Sequence, residues 1–217
     1  MTLSGGLTLG NGAVLNLDLA GTTTSDKLAV SGTFSASGTT TINITALGSF
    51  AGSGTYLLIT GASGISAGNF ALGTVPAGYV CTLGASSGNL SLTVMTQQES
   101  WRLANFGTTA NSGNAADGAD PDGDGMTNAQ EFAAGTDPNS AASVLRVSQI
   151  QPGGNDIVVS FPSVLGKTYR LEYSDTLQSG SWVTLQNNIA GTGNPISVTD
   201  VGGAGQARRF YRIVLIP

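Results

Sequence analysis

"AVLNLDLAG", residues 13–21, alternates strictly: Leu15, Leu17 and Leu19 fall on one side of the chain, Asn16 and Asp18 on the other. Successive side chains of a strand point to opposite faces, so a period of two with one apolar set marks a half-buried β-strand. The pattern returns in "TTINITAL" (40–47), with Ile42, Ile44 and Ala46 inward, and in "NLSLTV" (89–94), with Leu90, Leu92 and Val94 inward. Gly- and Ser-rich stretches between these runs supply the turns. Thin layers of Leu, Ile, Val and Ala with few aromatics suit a parallel β-helix better than a globular sandwich. Counting finds no single repeat length along this part of the chain.

The whole chain has the composition of a folded β protein. Glycine supplies 32 of its 217 residues, and charged residues only 10% against 40% apolar ones. Disordered chains have the opposite balance, with high net charge and little to bury. Histidine is absent, which excludes Ser-His-Asp and Cys-His catalysis and histidine zinc sites. The lone cysteine, Cys81, alternates in step with Tyr79 and Leu83 in "YVCTL" and is expected to pack as an apolar residue. No apolar run approaches the length of a membrane-spanning helix. The start, "MTLSGGLTLGNG", lacks the basic and apolar regions of a signal peptide. Together with its abrupt opening on strand-like sequence, this makes a mature or excised piece of a larger protein the expectation.

Charge divides the chain into three expected segments. Residues 1–95 form the β-helical solenoid, with Asp18, Asp26 and Lys27 as their only charges. Residues 96–142 form a connector with Glu99, Asp117, Asp120, Asp122, Asp124, Glu131 and Asp137 against Arg102 alone, a net charge of −6. Residues 143–217 form a small antiparallel β-sandwich carrying a net +2. The connector opens on "TQQESWRLANFG", where Thr96 and Glu99 fit a capping box and Gly107 a stop. A helix over 97–106 follows, with Trp101, Leu103 and Phe106 available for packing. Trp101 is either a plug over the end of the β-helix or a stacking surface for a sugar.

"DPDGDGMTNAQE", residues 120–131, fits the calcium-loop spacing D-x-D-x-D-G-x₅-E throughout. Asp120, Asp122 and Asp124 take positions 1, 3 and 5, Gly125 the sharp turn at position 6, and Glu131 position 12. Met126 at position 7 offers its backbone carbonyl, and Asn128 at position 9 a side-chain oxygen or a bridging water. Carboxylates this close repel by about 1 kcal/mol per pair even at water's dielectric, so the loop calls for a cation. An all-oxygen set disfavours zinc and copper, and magnesium resists so full a protein shell, which leaves calcium. Thr127 and Gln130 form a second capping box at the start of a short helix before Gly135. The residues before the loop are too rich in Gly and Asn to be the entering helix of a calcium sensor, so a clamp is expected rather than a switch.

From residue 143 the strands lengthen and gain aromatics. "DIVVSFP" places Ile157, Val159 and Phe161 on one face, "KTYRLEYS" Tyr169, Leu171 and Tyr173, and "RRFYRIVLIP" Tyr211, Ile213 and Leu215. With "SGSWVTL" and "NPISVTD" this makes five or six antiparallel strands. Trp182, Tyr173 and Tyr211 are either core residues or a sugar-stacking platform. Arg208, Arg209 and Arg212 are either a solvated strand edge or an anion site. A pI near 4.4 argues against nucleic acid as a partner.

The stretch "GGLTLGNGAVLNLDLAGTTTSDKLAVSGTFSASGTTTINI" resembles the autotransporter-associated β-strand repeat of large exported bacterial proteins. "GSFAGSGTYLLITGASGISAGNFALGTVPAGYVCTLGASSGNLSLTV" resembles the block that closes such β-helical passengers. The calcium loop with its following "GTDP" resembles the thrombospondin type 3-like repeats of bacterial surface proteins. That resemblance adds Asp137 as a candidate ligand and, more weakly, Asp117. The final segment, "GKTYRLEYSDTLQSGSW…VTD…RRFYRI", resembles a terminal β-sandwich module that follows such connectors. The resemblances imply a non-catalytic, extracellular or cell-surface structural and adhesive module rigidified by calcium. The alternatives are a subunit of a self-assembling filament and a glycan-binding module.

Overall fold

The computed structural model describes residues 1–216. Ten strands precede the first helix: β1 (Thr2–Leu3), β2 (Leu7–Leu9), β3 (Val14–Leu19), β4 (Leu28–Val30), β5 (Phe34–Ala36), β6 (Thr40–Ala46), β7 (Gly54–Thr60), β8 (Phe70–Leu72), β9 (Tyr79–Ser86) and β10 (Asn89–Thr96). Helices α1 (Gln97–Phe106) and α2 (Asn128–Ala134) follow, and then β11 (Gln149–Gly153), β12 (Asp156–Phe161), β13 (Thr168–Ser174), β14 (Val183–Ala190), β15 (Ile196–Asp200) and β16 (Phe210–Ile216). The protein is therefore mainly β. Its contacts form two compact units, Met1–Ala104 and one that begins at Asn105. Among the described residues no helix is long and apolar enough to cross a membrane.

In the first unit, parallel pairs recur at a constant offset. β1 pairs with β4, β2 with β5 and β3 with β6, in the registers Thr2↔Ala29, Leu7↔Phe34 and Val14↔Thr41. Each partner lies 27 positions along the chain, as do the side chains that bond across the same rungs, Thr8 to Ser35 (2.9 Å) and Asn43 Nδ2 to Asn16 Oδ1 (2.9 Å). A third layer adds β7 beside β4 and β8 beside β6, again parallel. Here the offset lengthens: the Thr74 N–H donates to Asn43 Oδ1 (2.9 Å) across 31 positions. The spacing is thus constant between the first two layers and longer to the third, so no single repeat length runs through all three, in keeping with the count along the sequence. β10 then pairs antiparallel with both β7 and β9.

The alternation sorts these strands as expected, with Leu17, Leu19, Ile42, Ile44, Leu90, Leu92 and Val94 buried in one core. Each such side chain contributes about 1.5–3 kcal/mol of burial. Ala46 is the exception: it is exposed, at the last position of β6, where the strand gives way to a turn. Cys81 packs against the core with Tyr79 and Leu83. At α1 the capping box forms, the Thr96 N–H donating to Glu99 Oε2 (2.7 Å) and the Glu99 N–H to Thr96 Oγ1 (3.1 Å). The Ser53 hydroxyl donates to the same carboxylate, tying the helix start to the sheet. Leu103, expected to pack, is exposed, and Arg102 is the buried residue of this helix.

The second unit holds two three-stranded antiparallel sheets, ordered β11-β12-β15 and β14-β13-β16. Val159 and Phe161 from β12 and Val198 from β15 meet Tyr169 and Leu171 from β13 and Ile189 from β14 in one core. Leu145 and Val147, just before the first of these strands, pack against it.

Candidate metal centre

The loop from Asp120 to Glu131 is folded by its own carboxylates. Asp120 accepts the N–H groups of Gly123 (2.9 Å, on Oδ1) and Gly125 (3.0 Å, on Oδ2). Asp122 Oδ1 accepts from the Asp124 N–H (3.2 Å) and Asp124 Oδ1 from the Met126 N–H (2.7 Å). Gly125 sits at φ 96°, a backbone region costly for any residue with a Cβ, and it makes the turn that folds position 5 back toward position 1. As a result, one oxygen from each of Asp120, Asp122 and Asp124 lies within 4.8 Å of the others.

α2 supplies the rest of the site. Its N-cap is Thr127, whose N–H donates to Gln130 Oε1 (2.8 Å), and Gly135 at φ 75° ends it. The helix carries Asn128 and Glu131 inward, both essentially without solvent exposure (1% and 0%). Glu131 stands outside the 4.8 Å group but is close enough to feel all three aspartates. Burial first, and then the charges of Asp122, Asp124 and Asp120, raise its carboxyl from 4.5 to about 7, against a hydrogen bond from Thr136 that lowers it.

Among the described residues, four buried oxygens of this segment have no hydrogen-bond partner: Asp122 Oδ2, Asp124 Oδ2, Asn128 Oδ1 and Glu131 Oε2. They belong to positions 3, 5, 9 and 12 of the loop. Each buried, unsatisfied polar atom costs about 1–3 kcal/mol, so four in one loop are a demand for a shared cation. The donor set is hard and all-oxygen, and it fits calcium. Bound there, calcium would supply the charge that lets these carboxylates stay ionised and close together.

The other sequence candidates fall elsewhere. Asp117 is held by Asn111, which donates from Nδ2 to its carboxylate (3.0 Å) and accepts its N–H (2.7 Å). Asp137 is exposed beyond α2 and caps its own turn through the Asn139 N–H (3.0 Å). Tyr173 and Tyr211 lie opposite each other on β13 and β16, and Tyr211 packs on the core with its hydroxyl donating to Asp200 (2.7 Å). Trp182 lies under the Arg212 guanidinium, 4.1 Å from the ring centre. Arg212 alternates with Tyr211 along β16, so the three rings do not share one surface. Arg209 is not a solvated edge residue: its side chain is 12% exposed and bonds Asp175 and Asp200.

Some supporting contacts carry no sequence signal. Asn128 Nδ2 donates to the carbonyls of Asn114 and Ala116 (both 2.7 Å), so the residue that turns an oxygen inward also pins the incoming turn. The Leu145 N–H donates to Met126 Sδ (3.3 Å), and Lys167 Nζ to the Ala133 carbonyl at the end of α2 (2.5 Å). Gly135 faces Val164 and Lys167 closely enough that a Cβ would lie 3.2 Å from each. The loop and α2 are thus fastened to the segments that lead into β11 and β13 of their own unit, by contacts between residues distant in sequence.

Residues 120–141 match the family model of the bacterial TSP3 repeat. No curated protein and no solved structure matches the chain significantly. The matched repeat is a calcium-binding one, and the three-aspartate cluster within it fits a metal site.

Proposed function

We propose that this chain is a non-catalytic structural module of an exported bacterial protein, with a calcium loop built into its C-terminal unit. The parallel rungs 27 residues apart, with Asn and Thr/Ser side chains bonded from rung to rung, support reading residues 1–95 as coils of a β-helix. Two antiparallel sheets over one core support reading residues 143–217 as a β-sandwich. The observation that carries the calcium assignment is the set of four buried, unpartnered oxygens inside the segment that matches the TSP3 repeat. The proposed shell is Asp120, Asp122, Asp124, the Met126 carbonyl, Asn128 and Glu131. Asp137, exposed and engaged in its own turn, stays outside it. In an extracellular setting affinities of even about 10⁻⁴–10⁻³ M suffice to fill such a site. The role is to stiffen a displayed protein, and adhesion is the use that such stiffness serves.

Calorimetry tests this. One calcium should bind, Asp124→Ala should abolish binding, and Asp117→Ala should weaken it far less. Absence of calcium heat, with melting unchanged by chelation, defeats the assignment. Self-assembly into filaments is a second reading, favoured by β1, β2 and β3 being hydrogen-bonded to a neighbouring strand on one side only. Sedimentation that stays monomeric at high concentration removes it.

A further inference from the structure

The sheet β14-β13-β16 has a second face, turned away from the core. Residues that alternate with the buried Tyr169 and Leu171 of β13 lie on it: Arg170, Glu172 and Ser174. In register across the sheet, Glu172 is flanked by Thr184 and Arg212, and Ser174 by Phe210. Glu172 is 5% exposed and is satisfied from both sides, by Arg170 Nε on one oxygen (2.6 Å) and Arg212 Nε on the other (2.7 Å). The guanidinium side chains themselves stay open, at 35% and 46% exposure. Each uses only Nε on the carboxylate, so the terminal amino groups of both have no protein acceptor among the described residues. Arg212 also lies over the Trp182 ring, and Phe210 is 36% exposed on the same face.

A single buried carboxylate is thus spanned by two cations, leaving the cluster at +1 in a chain whose net charge is −5. Arginine forks bind planar carboxylates through paired donors, and aromatic rings stack on the apolar faces of sugar rings. The juxtaposition of open guanidinium donors with Trp182 and Phe210 therefore fits a ligand that presents both features at once. We propose that this face binds an acidic polysaccharide whose sugars carry carboxylates. The carboxylates take the terminal donors of Arg170 and Arg212, and a neighbouring ring rests against Phe210 beside the Trp182 ring that Arg212 covers. The site is independent of the calcium loop and does not rest on the calcium assignment.

The experiment uses the full chain at fixed calcium, with glucuronate-containing hyaluronan oligosaccharides as probe, neutral dextran as control, and heparin and duplex DNA as other polyanions. Hyaluronan should bind and dextran should not. Arg212→Lys keeps a cation beside Glu172 but loses the planar fork, and should weaken binding about tenfold, the equivalent of one charge-assisted bond pair. Phe210→Ala leaves the Arg170–Glu172–Arg212 ladder and the Arg212–Trp182 stack in place and should weaken it by a similar factor, with circular dichroism and melting of both variants recorded alongside. No binding of hyaluronan by the folded protein overturns the proposal. So does equal binding of heparin and DNA that is insensitive to Phe210→Ala, because that describes a patch of positive charge and not a sugar site.

Discussion

Replacing Glu131 by glutamine should have opposite effects with and without calcium. Glu131 is fully buried beside three aspartates, and in the calcium-free protein its carboxyl is raised from 4.5 to about 7. The folded state then holds a proton that the unfolded chain has already lost, so stability is fully present below 4.5 and falls as pH rises through about 7. Above that window, keeping the ionised carboxylate buried costs about 3 kcal/mol, since each pH unit between the two values is worth about 1.36 kcal/mol. A glutamine there would never ionise. It would keep an oxygen for the Thr136 hydroxyl and turn an amide toward the unpartnered oxygens of Asp122 and Asp124. In a chelator at about pH 8, the Glu131→Gln variant should therefore be more stable than the parent by up to about 3 kcal/mol. Calcium at a hundredfold excess over Kd should stabilise the parent by about 2.7 kcal/mol and the variant by much less. Urea unfolding, followed by hydrogen exchange within residues 105–216, separates this unit from the other. A variant that is less stable than the parent in chelator, or that gains as much from calcium, refutes the reasoning.

Chelation should speed amide exchange around Asn128, Glu131 and Leu145 and leave residues 1–104 unchanged, because the loop is fastened within the second unit; an equal change in both units would contradict this. The second unit should also be acid-labile through Glu172. Burial alone would raise its carboxyl, but hydrogen bonds and charge from Arg212 and Arg170 outweigh burial and hold it below 4.5. A depressed value means stability that is present above 4.5 and lost as pH falls through the folded value, so Glu172→Gln should flatten the acid transition seen by circular dichroism. If variant and parent lose structure along the same curve, Glu172 is not the group responsible. Asn43→Ala removes both rung-to-rung bonds of the asparagine ladder and should cost the first unit about 1–2 kcal/mol in urea melts. An unchanged midpoint would mean that water serves those groups as well as Asn16 and Thr74 do.

Local chemistry was legible in the sequence because it depends on short spacings. The alternation of "AVLNLDLAG" and "TTINITAL" follows from the two-residue period of a strand, and the structure buries Leu17, Leu19, Ile42 and Ile44 accordingly. The pairs Thr96/Glu99 and Thr127/Gln130 sit three apart, which is the reach of a capping box. Asp120, Asp122 and Asp124 could be named because a tight loop turns its odd positions inward, and Asn128 and Glu131 because the same spacing returns positions 9 and 12 to the centre. The 27-residue offset between the first two layers was harder to see. What repeats is mainly Leu15-Asn16-Leu17 against Ile42-Asn43-Ile44, and the next offset is longer, so few identities survive alignment. Tertiary structure alone decided the rest. That Met126 accepts from Leu145, that Lys167 caps α2, and that Arg209 is held between Asp175 and Asp200 all depend on residues brought together from distant positions. Arg209, which looks like part of a charged strand edge in sequence, becomes a largely covered ion pair because Asp175 and Asp200 arrive from other parts of the chain. Spacing along the chain carries no record of that meeting.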